Sequence, residues 1–145
     1  ARDVDFDVRK SALLALGKFD ACFELFIPTL REFLSDTHWS VREAAVTALG
    51  MLGSRDVEDE LLKLLDDPDL AVQKALLIAL GKIGAEQAIP LLVERLASDE
   101  LEYAAYQGVS YLVPLYRDRI AAHLSHKNPK VNMFIQHVLE DEKEK

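Results

Sequence analysis

The chain carries nearly the same ten residues three times: VRKSALLALG at 8–17, VREAAVTALG at 41–50 and VQKALLIALG at 72–81. The copies lie 33 and 31 residues apart. Self-similarity at a period of roughly 20 to 50 residues marks an array of stacked units, because one such unit cannot bury its apolar face alone and each copy covers the next. Repetition is a packing solution, and it constrains the fold before it says anything of function.

Within VREAAVTALG, Val41, Ala44, Ala45, Ala48 and Leu49 fall at i, i+3, i+4, i+7 and i+8, which is one face of a 3.6-residue helix. The face is narrow and rich in alanine, so a neighbouring helix can approach closely. Gly17, Gly50 and Gly81 close the three copies and read as helix ends. A polar turn, DVDFD, DTHWS or DPDLA, precedes each copy, and its aspartates (Asp3 or Asp5, Asp36, Asp67 or Asp69) are candidates to cap the free amides of the helix start. From the second unit onward a further amphipathic stretch accompanies the phrase: FELFIPTLREFL, VEDELLKLL and AIPLLVERLA. The unit is therefore a helical hairpin.

Two degenerate copies follow. ELEYAAYQGVSYL keeps Ala104, Ala105, Gly108, Val109 and Leu112 in place if Leu101 stands for Val72; alignment on the preceding helix would put Tyr103 there instead, and Leu101 preserves the buried pattern better. NPKVNMFIQHVLE closes the series with Val131 in that position. The expected organisation is one domain over 1–140, in units of about 1–19, 20–52, 53–83, 84–113 and 114–140, with a charged, solvated tail at 141–145. The first unit lacks its leading helix, so Leu13, Leu16 and Phe19 have a side to be covered by further repeats of a longer chain or by a second copy.

Composition narrows the partners. A net charge of -8 opposes nucleic-acid binding, which draws its affinity from lysine and arginine displacing counterions. The single cysteine, Cys22, allows neither an intrachain disulfide nor a cysteine-based zinc cluster, and it fits a cytoplasmic setting. Flanked by aromatics in FDACFELF, it reads as a small buried apolar group. No apolar run approaches the roughly 20 residues that span a bilayer, and the opening ARDVDFD is unlike a secretory signal. The expectation is a soluble chain with no membrane partner.

The pattern D-x-x-V-R-x-x-A-A-x-x-A-L-G, with an I-P-x-L helix after it, resembles the short HEAT-like repeats first noted in phycobilin lyases, over nearly the whole chain. The resemblance implies an all-α fold, a right-handed α-solenoid of about five helical hairpins whose second helices line the concave side. The sequence departs from the pattern at Gln73, where arginine is usual, and at Asn132. Asp5 and Arg9 stand at i, i+4 and can pair across one turn, whereas His38 and Arg42 cannot do so favourably. Any charged ladder linking the repeats is expected to be interrupted.

Signals for catalysis are absent from the sequence. His123 and His126 stand at i, i+3 and can share a helix face, but a zinc site needs a third ligand, and nothing draws His38 or His137 to them. There is no Gly-rich phosphate loop, no H-E-x-x-H and no nucleophile elbow. Two HEAT-like enzyme classes are also disfavoured. None of the four histidines is followed by the glutamate of the iron-dependent deoxyhypusine hydroxylases, and the chain is too acidic for a glycosylase. No catalytic residue, metal or cofactor is assigned.

The expected function is a protein-interaction scaffold that binds a protein or peptide segment. The alternative is a non-catalytic or helper subunit of a bilin lyase-like enzyme. In the resembling family the second-helix positions left free by packing lie two residues before the valine and two, six and ten after it. Here they are Phe6, Trp39 and Leu70; Lys10, Glu43, Lys74, Tyr103 and Met133; Leu14, Thr47, Ile78, Gln107 and His137; and Lys18, Met51, Lys82 and Tyr111. The partner-binding candidates among them are Phe6, Lys10, Trp39, Glu43, Thr47, Met51, Lys74, Ile78, Tyr103, Gln107, Tyr111 and His137. Aromatic and aliphatic members suit an apolar partner, and the lysines suit a somewhat acidic one.

Overall fold

A computed structural model of the chain describes residues 7–12, 15 and 23–143. The readings made on Asp3, Asp5, Phe6, Leu13, Leu14, Leu16, Gly17, Lys18, Phe19 and Cys22 lie outside the described residues. Residues 7–12 are helical. Then come α1 (Phe23–Phe33), α2 (Trp39–Leu52), a 3-10 turn at Arg55–Val57 leading into the short α3 (Glu58–Leu62), and α4 (Leu70–Lys82). A second 3-10 turn, Glu86–Ala88, leads into α5 (Ile89–Arg95); α6 (Glu102–Ala121), a turn at Ala122–Ser125 and α7 (Pro129–Asp141) complete the order. No strand occurs among the described residues. The long helices α2, α4, α6 and α7 each pack on the next, with α1 beside α2 and α5 beside α6. The fold is an all-helical solenoid.

Its core follows the repeated phrase. Val41, Ala44, Ala45, Ala48 and Leu49 are all fully buried, and Leu101, just before α6, with Ala104, Ala105, Val109 and Leu112 within it, repeats the pattern. The short helices supply the other side through Leu30, Leu34, Val57, Leu61, Ile89, Leu92 and Val93. Full burial of each such leucine contributes about 1.5–3 kcal/mol.

The glycines of the phrase have a different task from the one their position suggests. Gly50 lies inside α2, and a Cβ there would meet the Cβ of Ala79 at 2.8 Å. At Gly81 a Cβ would meet the backbone of Gly108, and at Gly108 the backbone of Leu77. These residues let successive helices touch backbone to backbone. The helices are terminated instead by Gly53 and Gly84, in the left-handed region at φ 68° and 73°. At Gly84 the end is a Schellman turn, in which the Gly84 amide donates to the Gly81 carbonyl (3.1 Å) and the Ala85 amide to that of Leu80 (3.0 Å).

The same contacts set the register of the fourth repeat. Gly50, nine residues after Val41, faces Ala79, seven after Val72; Gly81, nine after Val72, faces Gly108, which is seven after Leu101. Leu101 thus takes the valine's place, although α6 begins only at the residue that follows it. Pro114 interrupts α6, and two residues later Tyr116 leaves helical geometry (φ −136°, ψ 35°), so the trace bends there.

The turns before α2, α4 and α7 share one design, which α6 lacks, having no side-chain cap. The residue three before the valine caps the helix: His38 Nδ1, Asp69 Oδ1 and Asn128 Oδ1 accept from the amides of Ser40, Ala71 and Lys130. Two residues earlier, Asp36, Asp67 and His126 accept from the amide of that cap. His126 is thereby fixed in a turn and does not share a helix face with His123. The residue after the valine staples its own turn: Arg42, Gln73 and Asn132 donate to the carbonyls of Asp36, Asp67 and His126.

Arginine at that place also reaches the next repeat. Arg9 pairs with Asp36 (3.3 Å), and Arg42 grips both carboxylate oxygens of Asp67 (2.8 and 3.0 Å). The ladder then stops at Gln73, which keeps only the bond within its own repeat. Arg9 reaches across the stack, where the sequence suggests a local pairing with Asp5. Burial pushes the pKa of the Asp67 carboxyl up, but the Arg42 hydrogen bonds, the Asp69 amide and the guanidinium charge outweigh it, and the carboxyl is held below its ordinary value. Its bond to Asp67 holds the Arg42 guanidinium above its own.

Candidate functional site

The second helices α2, α4, α6 and α7 present side chains that the stack does not consume. Most of the large apolar residues exposed here belong to the anticipated rows: Trp39, Met51, Tyr103, Tyr111 and Met133, with Tyr103 72% exposed. Trp39 opens α2 at 43% exposure, its ring stacked on His38 at 6.0 Å. Met51 lies at the other end of the same helix.

Three clefts run along this face. Between α2 and α4 a groove of about 360 Å³ is lined by Glu43, Thr47, Lys74, Ile78 and Lys82, over a floor of Gly50, Ala75 and Ala79. Along α6 a second, of about 450 Å³, is lined by Tyr103, Gln107, Tyr111, Pro114 and Glu142. Between α6 and α7 a third of about 450 Å³ has mostly apolar walls, Tyr103, Tyr106, Met133 and Phe134, with Glu102, His137 and Asp141 beside them. The structure therefore gathers Glu43, Thr47, Lys74 and Ile78 at one place, Tyr103, Gln107 and Tyr111 at another, and Tyr103 with His137 at a third. Trp39, Met51 and Lys10 line none of these three. Phe6 lies outside the described residues.

Charge on the face is less positive than a count of lysines suggests. Lys10 pairs with Glu43 at 3.8 Å, and the Lys82 ammonium stands 5.7 Å from the centre of the Tyr111 ring.

Tyr106, Phe134 and Asp141 belong to the third cleft and escape the four-row pattern. The Tyr106 hydroxyl donates to Asp141 Oδ2 (2.6 Å) and lies 2.8 Å from His137 Nδ1, which is 3.1 Å from the same carboxylate oxygen. With its one proton given to Asp141, the hydroxyl can only accept from His137, so Nδ1 carries the hydrogen in this arrangement. Burial, the hydrogen bond and the Asp141 charge together push the Tyr106 phenol up to about 12. The hint in the sequence is Phe134, which stands where the three preceding copies have alanine.

No group of three His, Cys, Asp or Glu side chains suited to a metal occurs among the described residues, and no described helix is long and apolar enough to cross a membrane.

A stack of helical hairpins with a continuous free face defines the class of α-solenoid repeat proteins. The sequence matches HEAT repeats over residues 27–112, more than half of the 145-residue chain, and the protein belongs to that family. Among solved structures it is similar to the complex of CpcE and CpcF of phycocyanin lyase from Nostoc sp. PCC7120, at 21% identity and a TM-score of 0.69. That likeness covers 96% of this chain and 60% of the other, so this chain spans less than two thirds of its neighbour's length. At such identity the likeness speaks for the fold. No curated protein matches the sequence.

Proposed function

We propose that the protein is an interaction scaffold whose second-helix face, concave in the family it resembles, binds a segment of a partner protein. One observation carries the reading: five large apolar side chains, Trp39 and Met51 on α2, Tyr103 and Tyr111 on α6 and Met133 on α7, stand exposed on the second-helix face, which also carries three clefts. A monomeric fold has no packing reason to place them there, and aromatic anchors of this kind dominate interface energetics. The repeat division at about 20–52, 53–83, 84–113 and 114–140 is the framework of this proposal, each unit offering one helix to the face.

The test is affinity. Trp39→Ala and Tyr111→Ala should each weaken a partner captured from the native source by about 1–3 kcal/mol while leaving the melting temperature nearly unchanged. A partner that ignores both and responds to changes at Arg31, Lys63 or Glu94 on the short helices would overturn the assignment.

The likeness to a lyase complex favours a second reading, a helper subunit in bilin attachment. That neighbour's structure is itself a complex of two proteins. An induced visible absorbance on mixing this chain with free bilins would favour the lyase reading, and none is expected of a scaffold.

A further inference from the structure

The clefts on the second-helix face differ in charge. The groove between α2 and α4 carries Lys74 and Lys82 against one carboxylate, Glu43, which Lys10 already pairs. The cleft between α6 and α7 has the carboxylates Glu102 and Asp141 instead. Lys130 pairs with Glu102, but the side chain of Asp141 is about half exposed at the end of α7. Its Oδ2 is committed to Tyr106 and His137, and Oδ1 is the atom left for a donor from outside.

The walls next to this carboxylate are aromatic. The Tyr106 ring meets Phe134 at 6.0 Å and 61° and His137 at 5.8 Å and 62°, so the three rings stand nearly edge to face, with Tyr103 also lining the cleft. Aromatic walls beside an exposed carboxylate suit a flat cation on an apolar stem. Guanidinium stacks on ring faces, pairs in plane with carboxylate and is less strongly hydrated than ammonium, which favours arginine over lysine. The face already holds one cation against a ring, Lys82 over Tyr111. A volume of about 450 Å³ has room for an apolar neighbour as well.

We propose that the cleft between α6 and α7 seats an arginine of the partner segment with an adjacent apolar side chain, its guanidinium held between the aromatic walls and Asp141. The acidic residues of the same segment then lie toward Lys74 and Lys82, which gives the bound segment a direction along the face. This rests on the second-helix face being the partner-binding surface.

The test uses the whole chain, labelled with ¹⁵N, and three capped tripeptides: leucine-arginine-phenylalanine and its counterparts with methionine or glutamate in the middle. The arginine peptide should shift amides within 102–110 and 133–141 and bind at least about ten-fold more tightly than the glutamate peptide. Asp141→Asn should weaken the arginine peptide about five-fold and leave the methionine peptide unchanged, with the far-ultraviolet spectrum as the check on folding. Equal binding of the arginine and methionine peptides in the cleft would remove the cation preference while leaving the face in place. Shifts gathered at Glu86, Gln87 and Arg119, or no shifts with any peptide, would overturn the proposal, and the partner affinities of Trp39→Ala and Tyr111→Ala would still decide the face on their own.

Discussion

Between α2, α4 and α6 the helices meet at Gly50 against Ala79 and Gly81 against Gly108, whereas the corresponding residues of α6 and α7 are Ser110 and Val138. The alanine that begins the close face in α2, α4 and α6 (Ala44, Ala75, Ala104) becomes Phe134 in α7, and the rings of Tyr106 and Phe134 pack there. One repeat plan thus yields two kinds of step. Where the contact residues are small, backbone meets backbone and the groove outside is floored by glycine and alanine. Where they are large, side chains separate the helices and line an aromatic cleft. The open step is where the face gains its distinctive chemistry.

The comparison can be broken at its tight end. Ala79→Phe puts a ring where Gly50 already leaves no space, and about 3 kcal/mol or more of stability should be lost, read as a lower denaturant midpoint. Tolerance of that ring would mean the middle steps are not set by small residues.

Arg42→Ala should cost about 2–3 kcal/mol, because it leaves Asp67, whose side chain is 3% exposed, with an uncompensated charge. The acidity of Asp67 gives the sign with pH. Its folded-state value is depressed below 3.8, so the stabilisation is present above that value and fades as pH falls through the folded one. The gap between wild type and Arg42→Ala should therefore be full at pH 7 and shrink below about pH 4. A gap that stays constant into acid would assign the loss to packing.

Gly81→Ala sharpens the contrast, since helix propensity alone would favour alanine by about 1 kcal/mol. The Gly108 backbone is in the way, and a net loss of about 1–2 kcal/mol is expected by chemical denaturation.

At the open step the effects are smaller. Tyr106→Phe removes bonds to Asp141 and His137 and should cost about 0.5–1.5 kcal/mol. The Tyr106 phenol, raised to about 12 from 10.0, holds its contribution below pH 10 and loses it as pH climbs through 12. An absorbance titration should show a late-ionising tyrosine that Tyr106→Phe removes.

Most of the architecture was legible in the sequence because burial repeats with the helical period: the face from Val41 to Leu49 and its copies at 72–80 and 101–112 are buried as the pattern asks, whereas Val8, the valine of the first copy, is exposed. The role of the phrase glycines was not legible. A glycine near the end of an apolar run looks like a terminator, and only the Ala79 and Gly108 contacts show otherwise. Pairing reasoned over i, i+4 also missed Arg42 with Asp67, 25 residues apart, and Tyr106 with Asp141, 35 apart, because these bonds exist only once repeats are stacked. His126 was missed for a different reason: bonds within its own repeat, with the Asn128 amide and the Asn132 side chain, hold it in a turn. The free rows rest on the family pattern, and the structure brings together Glu43, Thr47, Lys74 and Ile78 but leaves Trp39 and Met51 beside the clefts.

Trp39 is the only tryptophan and stands on the proposed face, so its emission reports on the central claim. Titration with a captured partner should shift Trp39 emission to the blue and protect it from iodide quenching at saturation. Unchanged emission and unchanged quenching with the partner fully bound would contradict the account.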